Sequence, residues 1–156
     1  MPMVYSSSLA TPGNSTTSGT PATEVGVFTL KPGSTLGFRM FAIDVIGKGA
    51  ALTTLSGIGF RVVRWGTAST SGTSFTPTPK DAGMQASVTT GTSGQTVGTT
   101  RTNRVIFGCS ATNGGGWWAK HEDDEEVLRA TAQSLDMLSV SGTASLVFEW
   151  VVSHKE

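Results

Sequence analysis

The sequence predicts an all-β domain: an antiparallel β-sandwich of jelly-roll-like type, with an extended N-terminal arm. Three observations lead there. Glycine occurs 20 times in 156 residues, well above the usual frequency of about 7%. Charged residues make up only 14%, against roughly 25% in a typical domain, so the Glu, Lys and Arg that cover helix surfaces are scarce. Short runs that mix apolar and polar residues recur along the chain, separated by Gly, Pro, Ser and Asn, and about eight of them read as strands. An immunoglobulin-like sandwich is the alternative arrangement of the same strands.

Residues 1–23 form the arm and residues 24–156 the sandwich domain. The arm is dominated by Ser, Thr, Gly and Pro and has too little apolar surface to bury itself. Its anchors on a partner would be Tyr5 and Leu9, with Met1, Met3 and Val4 beside them. The glycosylation sequon at Asn14-Ser15-Thr16 reads as chance, because no secretory leader is visible.

Residues 25–30 read as the first strand and Lys31-Pro32-Gly33 as a turn. In the second strand, 36–45, Phe38, Met40, Ala42 and Asp44 alternate with Gly37, Arg39, Phe41, Ile43 and Val45. Aromatic residues on both sides mean that neither side simply faces water. Residues 50–55 form a weak extended piece. Residues 58–65 are a clear strand, with Arg64 on the Phe60 side marking the exit from the sheet. A long loop covers 66–83, where Pro77 and Pro79 exclude a central strand and Phe75 is the residue able to pin it down. Residues 84–89 read as a short strand, 91–100 as loop and 104–109 as a strand ending at the single Cys109. Residues 127–132 read as an edge strand after the acidic run Glu122 to Glu126.

The strongest local pattern is 134–152, SLDMLSVSGTASLVFEWVV. Ser141-Gly142 between two apolar runs predicts a tight hairpin. In that register Leu135, Met137, Leu146, Phe148, Trp150 and Val152 form the core face. Leu138, Val140, Val147 and Val151 form a second face, apolar enough to be covered by another element or subunit.

Candidate chemistry is sparse. One cysteine allows no intramolecular disulfide. His121 and His154, the two histidines, have no helical His-x-x-x-His spacing, and no phosphate loop or nucleophile elbow is present. The acidic run lacks the alternation and glycine of a calcium loop. These features predict no enzyme, no cofactor and no metal. A net charge of zero, with Arg61, Arg64, Arg101 and Arg104 on different elements, predicts no nucleic-acid partner. No apolar run reaches the roughly 20 residues of a membrane span. Trp117-Trp118 after three glycines allows a carbohydrate platform, but reads more simply as one core and one interface tryptophan.

Two segments carry a resemblance. Residues 57–81, GIGFRVVRWGTASTSGTSFTPTPKD, and 134–149, SLDMLSVSGTASLVFE, resemble small β-sandwich structural proteins of tailed bacteriophages. The resemblance extends loosely over 25–152 and includes no catalytic motif. It implies a capsid decoration or cement protein, located in the virion and made in the host cytoplasm. Its partners would be itself, as a homotrimer, and the major capsid protein. The expected interface residues are Tyr5, Leu9, Trp117, Trp118, Leu138, Val140, Val147 and Val151. A carbohydrate-binding or tail-associated virion module is the alternative, and a small hydrolase using the acidic run a third reading.

Overall fold

The computed structural model describes residues 3–7, 15–16, 24–33, 36–47, 57–110, 115–119, 126–141 and 147–156. Every regular element in these residues is a β-strand. In chain order they are β1 (Val4–Ser7), β2 (Ser15–Thr16), β3 (Val25–Lys31), β4 (Phe38–Gly47), β5 (Gly57–Thr67), β6 (Thr73–Phe75) and β7 (Thr78–Pro79). Then follow β8 (Thr90–Ser93), β9 (Thr99–Ser110), β10 (Gly115–Ala119), β11 (Glu126–Leu128), β12 (Ser134–Ser141) and β13 (Val147–Lys155). The described strands form two antiparallel sheets. Sheet A has the order β10-β4-β13-β1-β7, with β11 also along β4 and β2 also along β13. Sheet B has the order β6-β8-β3-β12-β5-β9. The chain changes sheet between β2 and β3, β3 and β4, β4 and β5, β6 and β7, β7 and β8, β9 and β10, β11 and β12, and β12 and β13. Such repeated crossing is how jelly rolls build two packed layers.

One core lies between the sheets. Sheet B contributes Phe28, Leu30, Phe60, Val62, Leu135 and Met137. Sheet A contributes Phe38, Met40, Ile43, Val45, Phe148, Trp150 and Val152. Aromatic rings meet across the gap: Phe28 lies 4.7 Å from Trp150 and Phe60 lies 5.0 Å from Phe148, centroid to centroid. Each fully buried side chain of this kind stabilises the fold by about 1.5–3 kcal/mol. Phe75 anchors its loop as expected, buried in the same core with its ring 5.4 Å from Trp150.

The segment 134–152 departs from the predicted hairpin. Its two strands lie in opposite sheets: β12 pairs with β3 and β5, and β13 pairs with β4, β1 and β2. Met137 stands opposite Phe28 and Val62, while residues 142–146, which include Leu146, lie outside the described residues. The inward face was read correctly, because Leu135, Met137, Phe148, Trp150 and Val152 are all buried. They meet across the sandwich rather than side by side in one sheet. Alternation reports which side of a strand is buried, and both arrangements satisfy it equally.

β4 resolves the strand with aromatics on both sides. Ser153 pairs with Ala42 and His154 with Met40, so Phe41 is an extra residue, a β-bulge. A bulge reverses which alternate residues face inward. Phe38 and Met40 are buried before it, Ile43 and Val45 after it.

Other boundaries move. Residues 84–89 form no strand, and pairing begins instead at β8, in the Gly/Thr/Ser stretch read as loop. The loop 66–83 contains β6 and β7. Of the edge strand expected at 127–132 only the start is present, as β11 (Glu126–Leu128), paired with β4; residues 129–132 leave the sheet. The start of the predicted arm belongs to the sandwich, since β1 pairs with β13 and β7 and β2 pairs with β13. Residues 50–55 and 121–125 lie outside the described residues.

Candidate interaction surface

The expected interface residues separate onto different parts of the sandwich. Tyr5 is fully buried: its ring stacks on His154 at 5.3 Å, and its hydroxyl donates to the Gln85 carbonyl at 3.0 Å. It is therefore a core residue of its own chain, not a free anchor. Burial, with the Glu156 carboxylate next in effect, raises its pKa. Leu9 lies outside the described residues. Leu138 is buried on the outer side of sheet B with Val63 and Trp65, and Val140 packs against them. A single second face carrying Leu138, Val140, Val147 and Val151 therefore does not exist. Val147 stands opposite Thr16 at the start of β13, and Val151 is 38% exposed on the outer side of sheet A.

That outer side of sheet A is a candidate interaction surface. Beyond the bulge, Asp44 and Ile46 point away from the core, and on the adjacent strand Glu149 and Val151 stand opposite Ile46 and Asp44 respectively. Ile46 is 54% exposed. Two apolar residues thus alternate diagonally with two carboxylates on paired strands whose other faces are locked into the core. β10 extends the sheet, placing Trp117 opposite Asp44 and Trp118 opposite the buried Ile43. Toward the other end, half-buried Phe41 has Lys155 Nζ 5.2 Å and Lys80 Nζ 5.9 Å from its ring centroid, within cation–π range.

Three polar clusters are used to hold the fold. Asp136, on β12, is fully buried. Thr29 and Ser69 donate hydroxyl hydrogen bonds to it and Gln95 Nε2 donates at 3.2 Å. Ser69 also accepts from the Gly98 amide at 2.9 Å, and its own amide donates to the Ser134 hydroxyl at 3.0 Å. These bonds tie residues 68–70 and 95–98 to β12, and Val63, Trp65 and Leu138 form a separate buried cluster on sheet B. Burial raises the Asp136 pKa, and the hydrogen bonds from Ser69, Thr29, Ser134 and Gln95 only partly oppose it.

Glu156 performs the same task at the end of β13. Its carboxylate accepts from the Ser87 hydroxyl and from the amides of Val88 at 3.1 Å and Thr89 at 2.9 Å. His154 Nε2 lies 3.4 Å from it. Burial alone would raise the Glu156 pKa. His154, Ser87 and Thr89 outweigh burial and hold it far below the ordinary value of 4.5. Both Ser87 and His154 point at the carboxylate. The His therefore does not stand between Ser and acid, as a nucleophilic triad requires.

The four arginines are less scattered than the sequence suggests, because β5 and β9 are paired neighbours. Arg61 and Arg101 both bind Glu24. Arg104 Nε lies 2.6 Å and Arg64 Nη2 4.0 Å from the buried Glu126, and Arg64 also donates to the Val127 carbonyl at 3.0 Å. Each arginine pair shares a carboxylate, and the Glu126 cluster joins sheet B to sheet A. Sequence reasoning missed these partners because the pairs are 22 to 77 positions apart. Comparison of the chain with protein-family models, with curated proteins and with solved structures finds no significant match.

Proposed function

We propose that this chain is a structural, self-associating subunit, and that its setting is the virion of a tailed bacteriophage. There it would act as a decoration or cement protein, binding the major capsid protein and further copies of itself in a closed trimer. The observation that carries the self-association is the outer side of sheet A, where Ile46 and Val151 are exposed on two strands held rigid by the core. Rigid strands lose little entropy when a partner covers them, so modest apolar burial yields net affinity. Repetition of such contacts around a ring or over a lattice multiplies their effect. The phage setting rests on the resemblance of residues 57–81 and 134–149.

Two measurements test this. The double variant Ile46→Lys/Val151→Lys should fold with an unchanged thermal midpoint and lose the oligomer in light scattering. An oligomer that survives both lysines sinks the assignment of this surface. Purified wild-type protein should also co-sediment with expanded phage capsids at a fixed ratio. Absence of any capsid binding would remove the decoration role.

A further inference from the structure

β1 is inserted into a slot built by the rest of the chain. On one side it pairs with β13, with Val4 opposite Lys155, Tyr5 opposite His154, Ser6 opposite Ser153 and Ser7 opposite Val152. On the other it pairs with β7, with Tyr5 opposite Pro79 and Ser6 opposite Thr78. Among the described residues β7 has no other strand neighbour, so β1 alone joins it to sheet A. Further bonds bracket the insert: the amides and carbonyls of Met3 and Glu156 bond reciprocally at 3.2 and 3.0 Å, and the Lys80 amide donates to the Val4 carbonyl at 3.0 Å. Tyr5 is the plug, buried on His154.

From these observations we infer that β1 is an exchangeable strand, and that the slot between β13 and β7 receives β1 of a second copy of this chain in the assembled oligomer. The inference rests on the self-association proposed above and specifies how copies are locked. Three features support it. The slot holds a short extended segment whose one aromatic side chain is buried, and each copy carries that segment. The same ladder and the same Tyr5–His154 stack form whether β1 arrives from its own chain or from a neighbour, so the contacts do not oppose exchange. Finally, β1 and β2 lie along the same edge of β13, and residues 17–24, TSGTPATE, join them to β3 in the other sheet. Eight extended residues span at most about 26–29 Å. The high effective concentration within an oligomer then decides between closed and exchanged forms. Handing β1 to the next copy around a ring gives a closed trimer, and a reciprocal swap gives a dimer.

Cross-linking tests the exchange. In a Cys109→Ser background, one chain carries Ser6→Cys and a second carries Ser153→Cys, positions directly opposite in the β1–β13 ladder. Co-refolded and oxidised, the mixture should give an inter-chain disulfide containing one chain of each kind, and neither variant alone should give it. If the mixture gives no inter-chain disulfide while a third chain, carrying both Ser6→Cys and Ser153→Cys, cross-links only within itself, the exchange is overturned. A measurement on the unaltered protein guards against variants that fail to fold. In an equimolar mixture of isotope-labelled and unlabelled chains, an isotope-filtered spectrum should show contacts between the Tyr5 ring of one chain and the His154 ring of another. An oligomer whose Tyr5–His154 contacts are all within one chain overturns the exchange and leaves self-association standing. A monomer overturns both.

Discussion

At the scale of single residues, two of the buried carboxyl groups, Glu156 and Asp136, make opposite contributions to stability as the pH changes. The Glu156 pKa is lowered in the fold, so its contribution is present above its ordinary value of 4.5 and is lost as the pH falls through the depressed folded value. The Asp136 pKa is raised from 3.8, so the folded state holds its proton more tightly. Its contribution is present below that ordinary value and is lost as the pH rises through the raised one. Urea unfolding of Glu156→Gln and Asp136→Asn across acid to neutral pH should therefore give opposite trends. The deficit of the Gln variant should grow as the pH rises, and that of the Asn variant should shrink. Parallel trends would contradict the assigned environments. Asp136→Ala should cost about 1–3 kcal/mol beyond Asp136→Asn, because it leaves Thr29, Ser69 and Gln95 with unmatched donors. None of these partners was legible in the sequence. Asp136 sits in an apolar run and Ser69 in a polar loop, and only the crossing of the loop over sheet B brings them together.

At the scale of elements, alternation was the readable signal, and pairing was not. The strands at 25–30, 36–45, 58–65 and 104–109 are present as β3, β4, β5 and β9 with shifted ends. The bulge at Phe41 was visible only as aromatics on both sides of β4. β8 was read as loop because Thr90–Ser93 contains Gly, Thr and Ser in place of a large side chain. Gly91 shows why it must be small there. A Cβ at Gly91 would lie 2.1 Å from the Phe75 ring, so the ring that anchors its loop packs directly on the glycine backbone. Gly91→Ala should cost about 1–3 kcal/mol by forcing that ring out of the core. A thermal midpoint equal to wild type would mean that Phe75 has room to move. Tyr5→Ala should cost about 3–5 kcal/mol, as for other large aromatic truncations in a core. Hydrogen exchange should then rise first in β7 and at the end of β13, the two segments that β1 joins.

At the scale of the whole molecule, three buried carboxyl groups hold loops and sheets together. Asp136 ties two loops to sheet B, Glu156 ties residues 87–89 to sheet A, and Glu126 links the sheets through Arg64 and Arg104. The outer side of sheet A presents a mixed apolar and acidic patch, Ile46 and Val151 with Asp44 and Glu149. The sandwich and most of its core were legible because burial leaves a periodic trace in each strand. The outer patch was only partly legible, through Val151, because its definition depends on β13 lying beside β4, a neighbour remote in sequence. The most direct measurement of self-association through this patch is the solution mass of the full chain by light scattering, beside that of Ile46→Lys/Val151→Lys. A wild-type mass of three chains falling to one chain in the folded variant is the predicted result. A wild-type monomer at every accessible concentration, or an unchanged oligomer in the variant, would contradict it.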